Sequence, residues 1–312
     1  MAQFLIFRLL YAVAVLIGVT ILVFSLIHLS GDPLAGLLPP GSSPEQEAAI
    51  RAQLGLDRSL PEQYAGFVTR AARGDFGESW RQGRPALDAV VERLPNTLWL
   101  TGLALAMAVV AALSLSLGAA ARPGSRIDLA GRFAATLGQA VPGFWLGTLL
   151  ILVFAVRLRW LPSSGFDDWR SLVLPAVALA VYPAAMLIRL LRGSLIATMD
   201  QDFIRTARSK GLDQETVIRV HALRNALLPA VAFAGLQAGF LLGGAVVIEG
   251  VFAFPGIGQL ALAAVLHRDL PVIQAVVMVV ATLIVLATLL VDLLARWIDP
   301  RLTIPMPNGA GS

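Results

Sequence analysis

Apolar and polar positions alternate along this chain on a long scale. Runs rich in Leu, Val, Ala and Ile cover about 9–29, 97–121, 133–156, 172–192, 227–249 and 274–296. A helix rises 1.5 Å per residue, so about 20 apolar residues cover the roughly 30 Å hydrocarbon core of a bilayer. Lipid offers no hydrogen bonds, so these runs are expected as helices. The first follows Arg8 and ends in HLSGDP. It is longer than the apolar core of a cleaved signal, about 7–15 residues, and reads as a retained span. The expectation is an all-α membrane protein with six transmembrane helices.

The segment between the first two runs, 30–96, carries helix-start chemistry. Ser43-Pro44 with Gln46, and Ser59 with Pro61 and Glu62, both read as capping boxes with proline in the first turn. They predict helices at about 44–54 and 61–73, the second closing at Gly74. Leu87, Val90, Val91 and Leu94 recur at helical spacing and predict a third, amphipathic helix. Pro95 is expected to end it and Asn96 to cap the next span. The chain is thus read as 1–29 (N-terminus and first span), 30–96 (a helical cap, outside the membrane) and 97–312 (a five-helix core). After the fifth run, Phe254-Pro255-Gly256 signals a turn. Ile257 to about His267 then predicts an apolar helix too short to cross.

A polar island, 200–229, interrupts the core, within a longer loop at 193–226. It holds the only lysine of the chain, Lys210. Phe203–Lys210 predicts a short helix with Arg208 and Lys210 in its last turn, where cations suit the helix C-terminus. Gly211 is expected in the left-handed position, with Leu212 folding back. Asp213 caps a second helix. On that helix Val217, Val220 and Leu223 form an apolar stripe, and Pro229 marks re-entry into the membrane. Two readings stand at this point. The pair lies on the membrane among anionic head groups, or it protrudes and docks in a groove of a partner.

Composition strengthens the membrane reading. The chain of 312 residues is 57% hydrophobic and 14% charged, against about 25% charged in soluble domains, with a mean hydropathy of +0.76. It has no cysteine, which excludes disulfides and thiolate metal sites. The net charge of +4 comes without a basic run interleaved with aromatics, so nucleic-acid binding is not indicated. With the N-terminus inside, the inner connections hold Arg8, Arg122, Arg126, Arg132, Arg189, Arg192, Arg205, Arg208, Lys210, Arg219, Arg224, Arg296 and Arg301. The short outer ones hold Arg157, Arg159, Arg170 and Arg268. That asymmetry predicts cytoplasmic termini and a cytoplasmic 193–226 loop.

Within the spans, Glu249 and Asp292 lie near ends and are expected to be solvated. Gly235, Gly239, Gly243 and Gly244 form a small-residue stripe, read as helix packing or as a smooth pore wall. Gln139, Gln237, Gly239, Gly243 and Glu249 are the candidates for lining a translocation path. Pro142, Pro175 and Pro183 are expected to kink helices. No phosphate-binding G-x-x-x-x-G-K-[ST] loop occurs, so ATP-driven transport would need its ATPase on another chain. A secondary transporter would call for mid-membrane acids or a visible inverted repeat, and neither is found.

RTARSKGL and HALRNALLP resemble the cytoplasmic EAA loop of permease subunits in binding-protein-dependent ABC importers. The dipeptide/oligopeptide branch is the nearest pattern. GDP at Gly31–Pro33, LGLD at Leu54–Asp57 and GDFGES at Gly74–Ser79 follow its order. So do RLPNTLWL at Arg93–Leu100, VPGFWLG at Val141–Gly147, LLGGAVVIEGVFAFPGIGQL and RDLPVIQ. Arg205, Thr206 and Ala207 stand where the broad pattern has Glu-Ala-Ala, and the peptide branch is similar in this. The resemblance implies a type I importer subunit in the plasma membrane. It would pair with a second, usually different permease, two cytoplasmic ATPases that bind ATP and Mg, and an external substrate-binding protein. This chain would bind no cofactor and catalyse no reaction. Phe203, Arg205, Thr206, Ala207, Arg208, Lys210, Gly211, Leu212 and Asp213 would couple it to the ATPases. Short peptides are the implied cargo, with glutathione or nickel complexes as alternatives.

Overall fold

A computed structural model of the protein describes residues 2–29, 43–53 and 55–298. The Gly31–Pro33 motif, Leu54, Arg301 and the side chain of Arg296 lie outside what is described. In chain order the helices are α1 (Ala2–Leu29), α2 (Pro44–Gln53), α3 (Leu60–Ala71), α4 (Ala86–Ala121), α5 (Arg126–Ala140) and α6 (Gly143–Leu150). There follow α7 (Val173–Met199), α8 (Asp202–Ser209), α9 (Gln214–Thr216), α10 (Leu223–Val251), α11 (Ile257–Leu266) and α12 (Leu270–Ile298). Among the described residues five helices are long and apolar enough to cross a membrane. A sixth crossing is reached when the bent pair α5–α6 counts as one. The protein is an all-helical membrane protein.

The expected helix end at Pro95 and cap at Asn96 are corrected. Pro95 lies inside α4, so the amphipathic stretch and the second span are one helix of 36 residues. Membrane helices tolerate such a proline because neighbours satisfy the freed backbone groups. Asn96 therefore caps nothing; its Nδ2–H donates to the Pro255 carbonyl at 2.8 Å. Pro229 lies inside a helix: α9, a π-helical turn at Val217–Ala222 and α10 form one continuous helix, Gln214–Val251. The third apolar run bends at Pro142, as expected. Val141 is extended, as a residue before proline prefers, and Pro142 offers no N–H. α5 and α6 consequently meet at 104°. Pro175 sits in the first turn of α7, where a missing donor costs nothing, and Pro183 lies in its interior.

The chain forms two compact units. The first comprises Met1–Trp99, Ser164–Phe166 and Ala245–Val285. Its core joins Ala86, Ala89 and Val90 of α4 to Ile257, Leu260 and Ala264 of α11 and to Val272, Ala275 and Val276 of α12. The short helix α11 thus rests against its own bundle. Both capping signals in 43–74 mark true helix starts. Ser43 and Gln46 exchange bonds of 3.1 and 3.3 Å, and Glu62 accepts from the Ser59 amide at 3.1 Å. α3 leans on α1 through Thr20–Tyr64 (2.9 Å) and His28–Gln63 (3.1 Å).

The second unit comprises Leu100–Ser163, Asp167–Gly244 and Leu286–Ser312. Its core gathers Ala108 and Ala112 of α4, Leu187, Leu191 and Leu195 of α7, Ile204 and Ala207 of α8, and Val217, Ala222 and Ala226 beyond. α5 lies close along α7. A methyl group at Gly138 would stand 2.8 Å from the Ala185 Cβ and 3.1 Å from the Val181 carbonyl. Glycine is what admits the α7 backbone there.

Candidate functional site

The polar island folds as a displayed helix and a capped turn. α7 ends at Met199, and Gln201 precedes α8 in extended geometry. α8 has two faces. Ile204 and Ala207 are buried in the core of the second unit, beside Leu191 and Leu195 of α7. Phe203, Arg205, Thr206, Arg208 and Lys210 are exposed. Of the nine residues expected in the coupling element, Ala207 therefore serves packing, and the other eight lie on the surface. Polar groups on the outer face bond within the helix. Thr206 Oγ1 donates to the Asp202 carbonyl (3.1 Å), Ser209 Oγ donates to the Arg205 carbonyl (3.1 Å), and Arg205 pairs with Asp202 at 3.4 Å.

Gly211 closes α8 at φ +80°, and its amide reaches the Arg208 carbonyl at 2.9 Å. A side chain here meets no neighbour within 4 Å; the constraint is the backbone angle alone. Asp213 then caps α9, accepting from the Thr216 amide at 3.1 Å. Donation from Thr216 holds the Asp213 carboxyl below its ordinary value of 3.8. The apolar stripe beyond it differs from expectation. Val217, Ile218 and Ala222 are buried, whereas Val220 is 58% exposed. The π-helical turn, in which the Leu223 amide bonds back to the Ile218 carbonyl, rotates the buried face away from simple helical spacing.

The five path candidates fall in different settings. Gln139 is half-buried, and its Nε2–H donates to the Ala135 carbonyl at 2.9 Å. Gln237 is buried. Gly239 is half-buried, and Gly243 is exposed with open space around it. Gly235 faces Val291 and Gly244 faces Leu179, so the small-residue stripe touches two different neighbours. Glu249 is 0% exposed, contrary to the expected solvation. Its carboxylate accepts from the Thr97 hydroxyl (2.6 Å) and the Gln259 amide (3.0 Å). Thr97 Oγ1 in turn accepts from the Ile257 amide at 2.9 Å. The N-cap of α11 is Gly256, which has no side chain to cap it. Glu249 and Thr97 supply that cap from two other helices.

Two further polar centres escaped sequence reasoning. Asp269, 3% exposed, accepts from the Ser79 hydroxyl (2.5 Å), the Trp80 amide (3.2 Å) and the Arg81 amide (3.4 Å), pinning the loop before α4. Asp128, 1% exposed, binds Arg192 of α7. Ser125-x-x-Asp128 is a recognisable helix-start pattern, but nothing in it points to an arginine 64 residues away.

These features define a multi-spanning helical membrane protein that displays a short basic helix between two of its spans. Profile comparison places it more closely. The binding-protein-dependent transport system inner membrane component matches residues 97–304, and the corresponding N-terminal membrane component matches 1–101. The chain belongs to this family, the permeases of ABC importers. It is 39% identical to the glutathione transport system permease protein GsiC of Escherichia coli, over 97% of this chain and 99% of that one. The Salmonella typhi protein of the same name is 38% identical over the same shares. Among solved structures, the inward-facing MetNI methionine ABC transporter aligns with a TM-score of 0.56 and 21% identity. It covers 67% of this chain and 95% of the transporter chain. An amino acid ABC transporter aligns at 0.51 and 19%, covering 69% and 94%. These two likenesses show a shared fold.

Proposed function

We propose that the protein imports short peptides, glutathione among them, as one of two permease subunits in an ATP-driven importer. The carrying observation is the near-complete alignment, 97% of this chain, with permeases of glutathione transport systems. Two cytoplasmic ATPases drive it and an external binding protein delivers the cargo. This chain holds the path, with Gln139, Gln237, Gly239 and Gly243 as the candidate residues along it; Glu249, fully buried and bound at the start of α11, is set aside. It neither hydrolyses ATP nor binds a cofactor of its own. The assembly lies in the plasma membrane with both termini cytoplasmic, a placement supported by the excess of Arg and Lys in the inner connections.

In this reading α8 is the coupling helix. Its buried face, Ile204 and Ala207, ties it to the bundle, while Phe203, Arg205, Thr206, Arg208, Lys210, Gly211, Leu212 and Asp213 offer a preformed convex surface to an ATPase groove. Closure of the ATPases on ATP then moves α8 as a rigid body and biases the bundle between two states.

The test is co-purification followed by transport. Affinity capture of this chain is expected to bring down an ATP-hydrolysing subunit, and vesicles holding the complex are expected to take up labelled glutathione or dipeptide only with ATP. Replacing Gly211→Val is expected to leave hydrolysis in place and lower uptake. Uptake by this chain alone, without ATP, would overturn the reading; uptake of a nickel chelate in place of peptides would overturn the cargo.

A further inference from the structure

We propose that Asp128 and Arg192 form a positioning clasp that passes movement of α8 into the bent α5–α6 pair. The inference rests on the reading of α8 as the coupling helix.

The geometry is directional and buried. Arg192 Nε–H donates to Asp128 Oδ1 at 2.5 Å and Nη2–H to Oδ2 at 3.1 Å. The Gly124 amide donates to the same Oδ2 at 3.0 Å, and Arg132 Nη2 stands 3.5 Å away. One carboxylate, 1% exposed and carried on the first turn of α5, therefore joins three pieces of chain: the turn after α4, α5 itself through Arg132 one turn on, and α7 near its end. A buried carboxylate costs free energy unless fully paired, so such a group marks a place where fixed geometry matters more than burial. A planar guanidinium held at two points resists rotation as well as sliding.

Elsewhere the α5–α7 contact lacks such a lock. Gly138 lies against Ala185 and Val181, and Gly131 lies near Ile188. These small residues bring the two backbones close through apolar contact, without an ion pair. The clasp fixes their register at one end. On the other side of Arg192 the path to α8 is short and packed: Leu191 and Leu195 share a core with Ile204 and Ala207. A displacement of α8 thus reaches Arg192 through packed side chains, and Asp128 through two hydrogen bonds. α5 delivers it to the 104° bend at Val141–Pro142, where the chain is hinged by a missing backbone donor.

This chain has no native cysteine, so it can be labelled at introduced cysteines alone and then assembled with its ATPase subunits for a direct test. Spin labels on Phe133→Cys and Val156→Cys, both exposed positions flanking the bend, report its opening. Addition of ATP and vanadate is expected to shift the distance distribution. In Asp128→Asn and Arg192→Gln the shifted population is expected to fall at least about fivefold, the lower end of ordinary coupling strengths. Arg192→Lys, which keeps the charge and loses the fork, is expected to give an intermediate shift; this variant decides the matter should the others fail to insert. An unchanged shift in these variants would overturn the clasp. If Gly211→Val also leaves the shift intact, the coupling role of α8 falls with it. If Gly211→Val abolishes the shift and the clasp variants do not, only the clasp falls.

Discussion

Thr97 and Glu249 share a hydrogen bond of 2.6 Å, and the threonine hydroxyl that donates it accepts the Ile257 amide at 2.9 Å. Two residues from long helices thereby cap a third helix whose N-cap is glycine. The arrangement gives Glu249 a defined task, holding the N-terminal donors of α11.

Removing that acceptor is expected to be costly. Glu249→Ala leaves buried donors of α11 unsatisfied and is expected to destabilise the protein by about 1–3 kcal/mol. Glu249→Gln, which keeps one carbonyl oxygen, is expected to lose less. Thermal unfolding in detergent, followed by fluorescence or circular dichroism, checks the order; equal midpoints for all three proteins would contradict it.

Asp269 is expected to guard the loop before α4 against proteolysis. It holds Ser79, Trp80 and Arg81 at once. Asp269→Ala should raise the population of the open loop, and trypsin should then cut after Arg81 several times faster than in the unaltered protein. Mapping the fragments by mass spectrometry is the measurement. A cleavage rate unchanged at Arg81 would show that other contacts hold the loop.

At Gly211 the constraint is conformational, since the space around it is open. Gly211→Ala is expected to destabilise the α8–α9 turn by about 1 kcal/mol, and Gly211→Asn by less, because asparagine tolerates the left-handed region. Hydrogen exchange of the Arg208–Asp213 amides would register this as local opening, with the rest of the chain unaffected.

Asp213 supplies a pH signature. Its folded value lies below the ordinary 3.8 because Thr216 donates to the carboxylate. A depressed carboxyl stabilises above its unfolded value, and that contribution is lost as pH falls through the folded value. Order at the start of α9 is therefore expected to be constant through neutral pH and to weaken only below about pH 4. Asp213→Asn, a competent cap without a titrating group, is expected to remove this dependence. A spin label on exposed Gln214→Cys would follow it; an identical acid profile in both proteins would assign the loss to another group.

How much of this was legible in the sequence depends on the distance over which each feature is encoded. The spans were, since hydrophobic length is a local property. So were the caps at Ser43, Ser59 and Asp213 and the left-handed Gly211, whose chemistry lies within a few residues. The prolines were harder to read. Pro95 resembles a terminator yet lies inside a helix, whereas Pro142 bends the third run as expected. What separates them is whether surrounding helices satisfy the freed carbonyls, which single-sequence patterns do not encode. Glu249, Asp269 and Asp128 find partners 152, 190 and 64 residues away. Each stood as a lone acid in the sequence, and only folding gave it donors. Val220 failed for a subtler reason: one wider turn shifts every later side chain around the helix axis.

The outer face of α8 has a consequence for assembly. Its hydroxyls bond to carbonyls of the same helix, and Arg205 already has its acid one turn away. The surface is complete without a visitor. A protein arriving there meets a finished shape and orders little on contact, so the entropy usually lost when a segment folds on its target is absent. On the proposed reading of α8 as the coupling helix, the chain can therefore be inserted and folded before an ATPase reaches it.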